Sequence, residues 1–497
     1  MRFFSIIALA GAYLCASSGG ASAATPAKLP DTAVNRQLLP PYAQAHQSIR
    51  FRGETLRYTV TVGALPVRDA TGQLIAQVAY TAYLRDSTDP DGRPVTFALN
   101  GGPGASSAFL NFGALGPRRL QFGATGDRPS DSIALHDNPG TWLDMSDLVF
   151  IDPVGTGYSR SFLNDAESLK AFYGTDVDIR YLSRAVYDWL SRSKRMASPK
   201  YLVGESYGGF RVPRMIRLLQ TEFGVGINGA VLVSPFLDSG AEFDPTFSPM
   251  PWVITLPSMA AARLEREGAL DKAHMQPIID YARGDYLRDL VKGRSDPEAT
   301  ERRIGHVTAL TGLDPAFVRR AGGRIEVEAF LREATREQGK IASSADSNFL
   351  IFDPAPDAPD LRAGDPLVES VLAQTTSAMV DFLSREVGWH VGAPYYTINF
   401  DIEDRFQWRG EHGEQVDSQD LRRVTALNPK LHILIAHGWN DLSTPFMASA
   451  LLVDQLPAAS ARDQVQVKEY VGGHMFYNRM PSLLAFHDDA EVLYRFN

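Results

Sequence analysis

The tightest constraint in this 497-residue chain is one pentapeptide, Gly204-Glu205-Ser206-Tyr207-Gly208, placed directly after the apolar run Tyr201-Leu-Val. The pattern G-x-S-x-G describes a nucleophile elbow, a strand-to-helix turn so sharp that glycine is needed on either side of the serine. Such a corner lifts the Ser206 Oγ over the C-terminal edge of a sheet. Val212-Pro-Arg-Met-Ile-Arg-Leu-Leu follows with apolar residues at helical spacing. The plain alternative is a glycine-rich turn with no chemistry, and the rest of the chain decides between the two.

Around the elbow an apolar strand repeatedly runs into a loop marked by glycine or proline. Val95-Thr-Phe-Ala-Leu enters Asn100-Gly-Gly-Pro-Gly; Asp147-Leu-Val-Phe-Ile enters Asp152-Pro-Val-Gly-Thr-Gly. Gly229-Ala-Val-Leu-Val enters Ser234-Pro, and Leu431-His-Ile-Leu-Ile-Ala enters His437-Gly-Trp-Asn-Asp. Near-continuous apolar runs belong to strands buried on both faces. Ile179, Leu182, Ala185, Val186 and Trp189 form a helical face just before the elbow strand. Strands alternating with helices predict an α/β architecture with a mostly parallel sheet. Ahead of it, residues 48–86 alternate around Asp69-Ala-Thr-Gly and read as antiparallel strands. Residues 24–47 read as an irregular arm. Residues 48–236 and 397–497 form two halves of one core. Residues 237–396 break the rhythm with charged amphipathic stretches, Met259–Glu267 and Glu326–Gln338 among them, and read as a largely helical insertion capping the sheet.

With 44% hydrophobic and 22% charged residues the chain has globular composition, and a net charge of −9 argues against a nucleic-acid partner. Met1-Arg2, an apolar run from Phe3 and Ala21-Ser22-Ala23 make a secretory signal peptide over residues 1–23, cut after Ala23. The run is shorter than the roughly 20 residues of a bilayer span, and no later segment is apolar enough. Leu14 before Cys15, the only cysteine, argues against a lipid anchor. Removal of the signal leaves a chain without cysteine, held by its core alone, and either secreted or periplasmic.

A nucleophilic serine needs a base, and the base an orienting carboxylate. On a sheet with such an elbow these follow in the chain order Ser, Asp or Glu, His. Asp441 lies just beyond the strand ending near Ala436, and His474 lies in Gly472-Gly473-His474 beyond the strand Val465–Val471. His432 and His437 sit in or at the end of a strand and His487 in a late helix, positions that suit packing. Asp454 and Asp463 follow no central strand. Acyl transfer also needs donors for the developing oxyanion. Tyr207 N–H is one, and the loop at Asn100-Gly101-Gly102 offers the second. That loop lacks the Gly-Lys-Ser/Thr ending of a phosphate loop. His274 and His306 have no carboxylates at ligand spacing, so neither metal nor cofactor is expected.

Five blocks in this order, Asn100-Gly-Gly-Pro-Gly-Ala-Ser-Ser, Asp152-Pro-Val-Gly-Thr-Gly-Tyr-Ser, Gly204-Glu-Ser-Tyr-Gly-Gly, His437-Gly-Trp-Asn-Asp and Gly472-Gly-His, resemble the serine carboxypeptidases. These are secreted or vacuolar α/β-hydrolases that remove C-terminal residues from peptides, and the chain resembles a bacterial-type member. The resemblance implies an α/β-hydrolase core with a helical insertion. It makes Ser206 the nucleophile, His474 the base, Asp441 its orienter, and the N–H groups of Gly102 and Tyr207 the oxyanion hole. It also implies that Asn100 and Glu205 grip the terminal carboxylate of a peptide substrate, which requires Glu205 to be protonated. Two departures stand out. The second glutamate usual before Gly116-Pro117 is Ala114, and the usual cysteine after the loop is Ala105. Arg118 or Arg119 is a candidate for compensating charge. An esterase or acyltransferase on the same scaffold, and a binding protein that has lost activity, remain the alternatives.

Overall fold

The computed structural model describes residues 37–86, 89, 92–122, 132–237, 248–358, 361–408, 419–457 and 464–495. The signal-peptide reading, Cys15 and Asp463 therefore lie outside the described residues. Nine strands form the main path of one sheet: β1 (Ala43–Phe51), β2 (Glu54–Arg68), β3 (Leu74–Arg85), β4 (Val95–Leu99), β5 (Asp147–Ile151), β6 (Lys200–Glu205), β7 (Gly229–Val233), β8 (His432–Gly438) and β9 (Val465–Tyr470). Their spatial order is β1-β2-β3-β5-β4-β6-β7-β8-β9. The first three strands and the β3–β5 pair are antiparallel. From β5 to β9 every neighbour is parallel.

The apolar runs are continuous because both faces of the sheet are covered. Tyr201 and Val203 of β6 point into one core and Leu202 into the other; Val231 and Val233 of β7 oppose Ala230 and Leu232 in the same way. One face is covered by α1 (Thr175–Arg192) and by α2 (Tyr207–Thr221) that leaves the elbow, through residues such as Leu182, Trp189, Phe210 and Met215. Between β7 and β8 the described chain is mostly helical, beginning with α3 (Met250–Arg266), and carries a small hairpin, 340–342 against 350–352. Trp252, Leu256 and Met259 of α3 pack with Ile304, Val307 and Phe330 in a separate core.

Three boundaries differ from the sequence reading. The sheet starts at Ala43, inside the span read as an irregular arm. β1 is an edge strand whose first residues alternate between exposed and half-buried, so small and polar residues suffice there. The helix expected at Met259–Glu267 starts nine residues earlier, with Pro251 in its first turn. The insertion does not stop at capping the sheet. Its last helix, α4 (Pro366–Asp381) with its continuation Phe382–Glu386, lies on the sheet face opposite α1 and α2, alongside α5 (Met480–Arg495). Phe382 is fully buried and meets Phe112 edge-on at 5.5 Å and Tyr83 at 6.3 Å.

If α4 is part of the main core, Phe382→Ala costs about 3–5 kcal/mol, as for other buried large-to-small changes. The urea-unfolding midpoint reads this directly; a loss below about 1 kcal/mol would mean that α4 docks only loosely.

Candidate active site

At the elbow the chain turns from β6 to α2 through a single residue. Ser206 takes φ 59° and ψ −124°, a conformation that L-residues avoid and that persists only where its surroundings enforce it. A Cβ on Gly204 would lie 2.0 Å from the Gly208 carbonyl oxygen, and one on Gly208 would lie 2.5 Å from the Leu99 carbonyl oxygen. Both glycines are thus fixed by contact. Gly101 is fixed by the same crowding: its Cβ would stand 2.5 Å from Tyr207 N and 2.9 Å from Ser206 Cβ. The loop after β4 and the elbow after β6 therefore touch backbone to backbone. Gly102 sits at φ 97°, open to glycine alone at low cost.

His474 and Asp441 come together as the sequence predicts. His474 Nδ1 lies 2.8 Å from Asp441 Oδ2, and Asp441 Oδ1 accepts the N–H groups of Ser443 at 2.8 Å and Thr444 at 3.0 Å. The Thr444 hydroxyl lies 2.8 Å from Asp441 Oδ2 and 3.0 Å from His474 Nδ1. With Nδ1–H facing the carboxylate, Nε2 carries the lone pair. Burial pulls the imidazole pKa down, but the Asp441 charge and hydrogen bond outweigh it, and the net shift is upward. Ser206, His474, Asn100, Gly102, Glu205 and Tyr207 line one cavity of about 520 Å³, walled on its far side by Pro251, Ile254 and Thr255 of α3. Ser206 Oγ and the His474 ring are not hydrogen-bonded to each other; such contacts often tighten only with substrate in place.

Asn100 and Glu205 meet beside the serine. Asn100 Nδ2 donates to Glu205 Oε2 at 2.6 Å, while Asn100 Oδ1 accepts Leu110 N–H at 3.0 Å. Glu205 is buried, which lifts its pKa to about 7 against the lowering effects of His474, Tyr477 and Asn100. Tyr477, unforeseen in the sequence, places its hydroxyl 2.9 Å from both Glu205 oxygens. Its closeness to His474 in the chain is the one signal that pointed to it.

The remaining residues that the sequence singles out have other partners. Arg118 reaches Asp137 and the Leu135 carbonyl, and Arg119 the carbonyls of Tyr477 and Asn478, so neither compensates for Ala114 at Glu205. Ala114 itself is buried, and its side chain has no polar atom to offer. His437 is pushed down to about 4 by burial and bonds Ser449. Asp454 pairs with Arg283, and His306 stacks on Tyr281. His487, Asp488 and Glu491 approach one another closely, but Arg52 already sits 2.6 Å from Asp488 and 3.1 Å from His487.

Replacing Asp441 by Asn removes the charge that raises the imidazole. The His474 pKa should then fall below the ordinary 6.5, read from its ring resonances in an NMR titration. An unchanged value would mean that Asp441 does not govern this ring.

Residues 77–244 match the serine carboxypeptidase family model. Serine carboxypeptidase-like 13 of Arabidopsis thaliana is 29% identical over 166 residues, 32% of this chain and 36% of the relative. Serine carboxypeptidase-like 50 of the same plant is 34% identical over 30% of this chain and 32% of its own length. The pheromone-processing carboxypeptidase kex1 of Schizosaccharomyces pombe is 27% identical over 29% and 26%. The matched stretch thus spans about a third of these relatives. In structure, the prohormone-processing carboxypeptidase Kex1(delta)p of Saccharomyces cerevisiae superposes with a TM-score of 0.55 at 14% identity, covering 88% of this chain and 91% of that one, which establishes the shared fold. Residues 77–244, which hold both the loop and the elbow, are thus similar to serine carboxypeptidases, and the chain has the α/β-hydrolase fold of Kex1(delta)p.

Proposed function

We propose that this protein is a secreted or periplasmic serine-type carboxypeptidase that removes C-terminal residues from peptides through an acyl-enzyme. The observation that carries this reading is the single cavity shared by Ser206, His474, the Gly101–Gly102 loop and the Asn100–Glu205 pair. As Ser206 Oγ bonds the scissile carbonyl carbon, His474 Nε2 takes its proton. The carbonyl electron pair moves onto oxygen, where the N–H groups of Gly102 and Tyr207 receive it. Neither N–H meets an acceptor among the described residues. Tyr207, first residue of α2, also brings the positive end of the helix dipole. Collapse breaks the C–N bond, and His474 returns the proton to the leaving amine. Water then attacks the ester by the same route and restores the serine. Asp441 stays ionised and holds the Nδ1–H.

Asn100 and neutral Glu205 supply the donors for the substrate's terminal carboxylate. An ionised Glu205 would repel it, so recognition holds at pH values below the Glu205 pKa of about 7 and fades above it. An esterase or acyltransferase would share the serine machinery but has no use for this carboxylate site. Among the described residues no helix is long and apolar enough to cross a membrane.

The Ser206→Ala variant should keep its thermal melting point and lose turnover by roughly 10⁴-fold or more. At pH 5 a peptide with a free C-terminus should be cleaved at least about 10-fold faster than its C-terminal amide, about 1.4 kcal/mol of discrimination. Full activity in the serine variant sinks the mechanism; equal rates on acid and amide favour the esterase reading.

A further inference from the structure

We propose that Tyr477 is a positioning residue that sets the pH range of terminal-carboxylate recognition, because it faces Glu205 with a neutral hydroxyl where a second carboxyl group would share its proton. This rests on the carboxypeptidase reading above. The space is built for the ring. A Cβ on Gly113 would lie only 2.6 Å from a Tyr477 ring carbon, and the neighbouring Ala114 brings no carboxyl group. Arg119 spans from beneath to the carbonyls of Tyr477 and Asn478 at 3.4 Å, which anchors the backbone that carries the ring. The Tyr477 hydroxyl has no partner but Glu205 among the described residues.

The hydrogen bonds fix where the proton of neutral Glu205 resides. Asn100 cannot flip, because its Oδ1 is held by Leu110 N–H; its Nδ2 therefore donates to Oε2 and cannot accept. Tyr477, with no other acceptor in reach, also donates to the carboxyl group. The acid proton is left on Oε1, available to a substrate carboxylate. On ionisation both donors stay bound, the proton is gone and the site turns negative. The charged groups that face Glu205 are His474 and Asp441 across the cavity, and the Tyr477 hydroxyl holds its proton far above the working range because it is buried against Glu205. Two facing carboxyl groups behave differently. They share one proton, and the pair is already anionic in moderate acid. With Tyr477 the site stays neutral until Glu205 itself ionises.

The test is the ratio of kcat/KM for a free-acid peptide to that for its C-terminal amide, followed from pH 4 to 9. Titration of the His474–Asp441 pair acts on both substrates and cancels. In the wild type the ratio should stay flat through acid and fall tenfold per pH unit above about 7, the signature of one proton. Tyr477→Phe removes a donor that stabilises ionised Glu205, so the fall should move to higher pH by half a unit or more. Glu205→Gln should abolish the fall. A wild-type fall centred at pH 4–5, or one steeper than a single proton, overturns the proposal even if Tyr477→Phe does not fold. So does a folded Tyr477→Phe variant whose fall has not moved. A ratio near one at every pH overturns the carboxypeptidase reading and this inference with it.

Discussion

A serine held at φ 59° between glycines that admit no Cβ is the constraint on which the rest of this molecule depends. A backbone in that region costs about 1–3 kcal/mol, and it lasts only if its surroundings leave no alternative. Here the surroundings are the sheet itself. Ser206 N–H donates to the Val233 carbonyl of β7 at 2.9 Å, and Gly208 presses on the Leu99 carbonyl at the end of β4. Strands on both sides of β6 therefore hold the corner. The same close approach brings Gly101 against Tyr207 N, so the conformation that exposes the serine also aligns the loop expected to receive the oxyanion.

Under the elbow lies a buried ion pair. Arg211 of α2 bonds Asp178 of α1 at 2.6 Å and the Asn100 carbonyl at 2.5 Å, and both charged side chains are almost wholly out of solvent. Such a pair adds little net stability, because desolvation offsets its attraction, but losing one partner costs about 3–5 kcal/mol. Its effect is therefore one of registry. Helix α2, helix α1 and the loop after β4 are tied at one guanidinium, and none of the three can shift without stranding a charge.

What was legible in the sequence was what local crowding or periodicity dictates. The elbow strand, the Asn100–Gly102 loop and the central strands announce themselves because Gly204, Gly101 and runs such as Val231-Leu-Val answer to nearby backbone or to burial on both faces. Asp441 and His474 are legible as loop residues after strands. The unread parts depend on contacts between residues far apart in the chain. Tyr477 meets Glu205 across 272 positions, and Phe382 meets Tyr83 and Phe112 across comparable separations. Nothing local in Met475-Phe-Tyr distinguishes a tyrosine aimed at a buried carboxyl group from one that fills a core. The start of β1, residues 43–47, escaped notice for the opposite reason: on an edge strand it needs little apolar content.

The segment between β7 and β8 is more than a cover over the cavity. The Ser344 carbonyl accepts the N–H groups of Leu442 and Ser443 beside Asp441, and the Ala345 carbonyl accepts His474 N–H at 2.5 Å. Asp365 in turn holds Ser343 and Ser344 through their hydroxyls and the Ser344 N–H. On the other side Arg479, five residues past His474, forms ion pairs with Glu265 of α3 and with Asp346. Both loops that carry the proposed base and its orienter thus rest on this inserted chain. If the insertion rocked as a rigid lid it would carry both loops with it or break the hydrogen bonds that hold them. The side chains free to vary are then those that line the cavity without bracing these loops. Thr255 fits that description: it faces the cavity, and among the described residues its hydroxyl bonds only carbonyls at the start of its own helix. The 343–347 segment and Asp365 must stay where the base needs them.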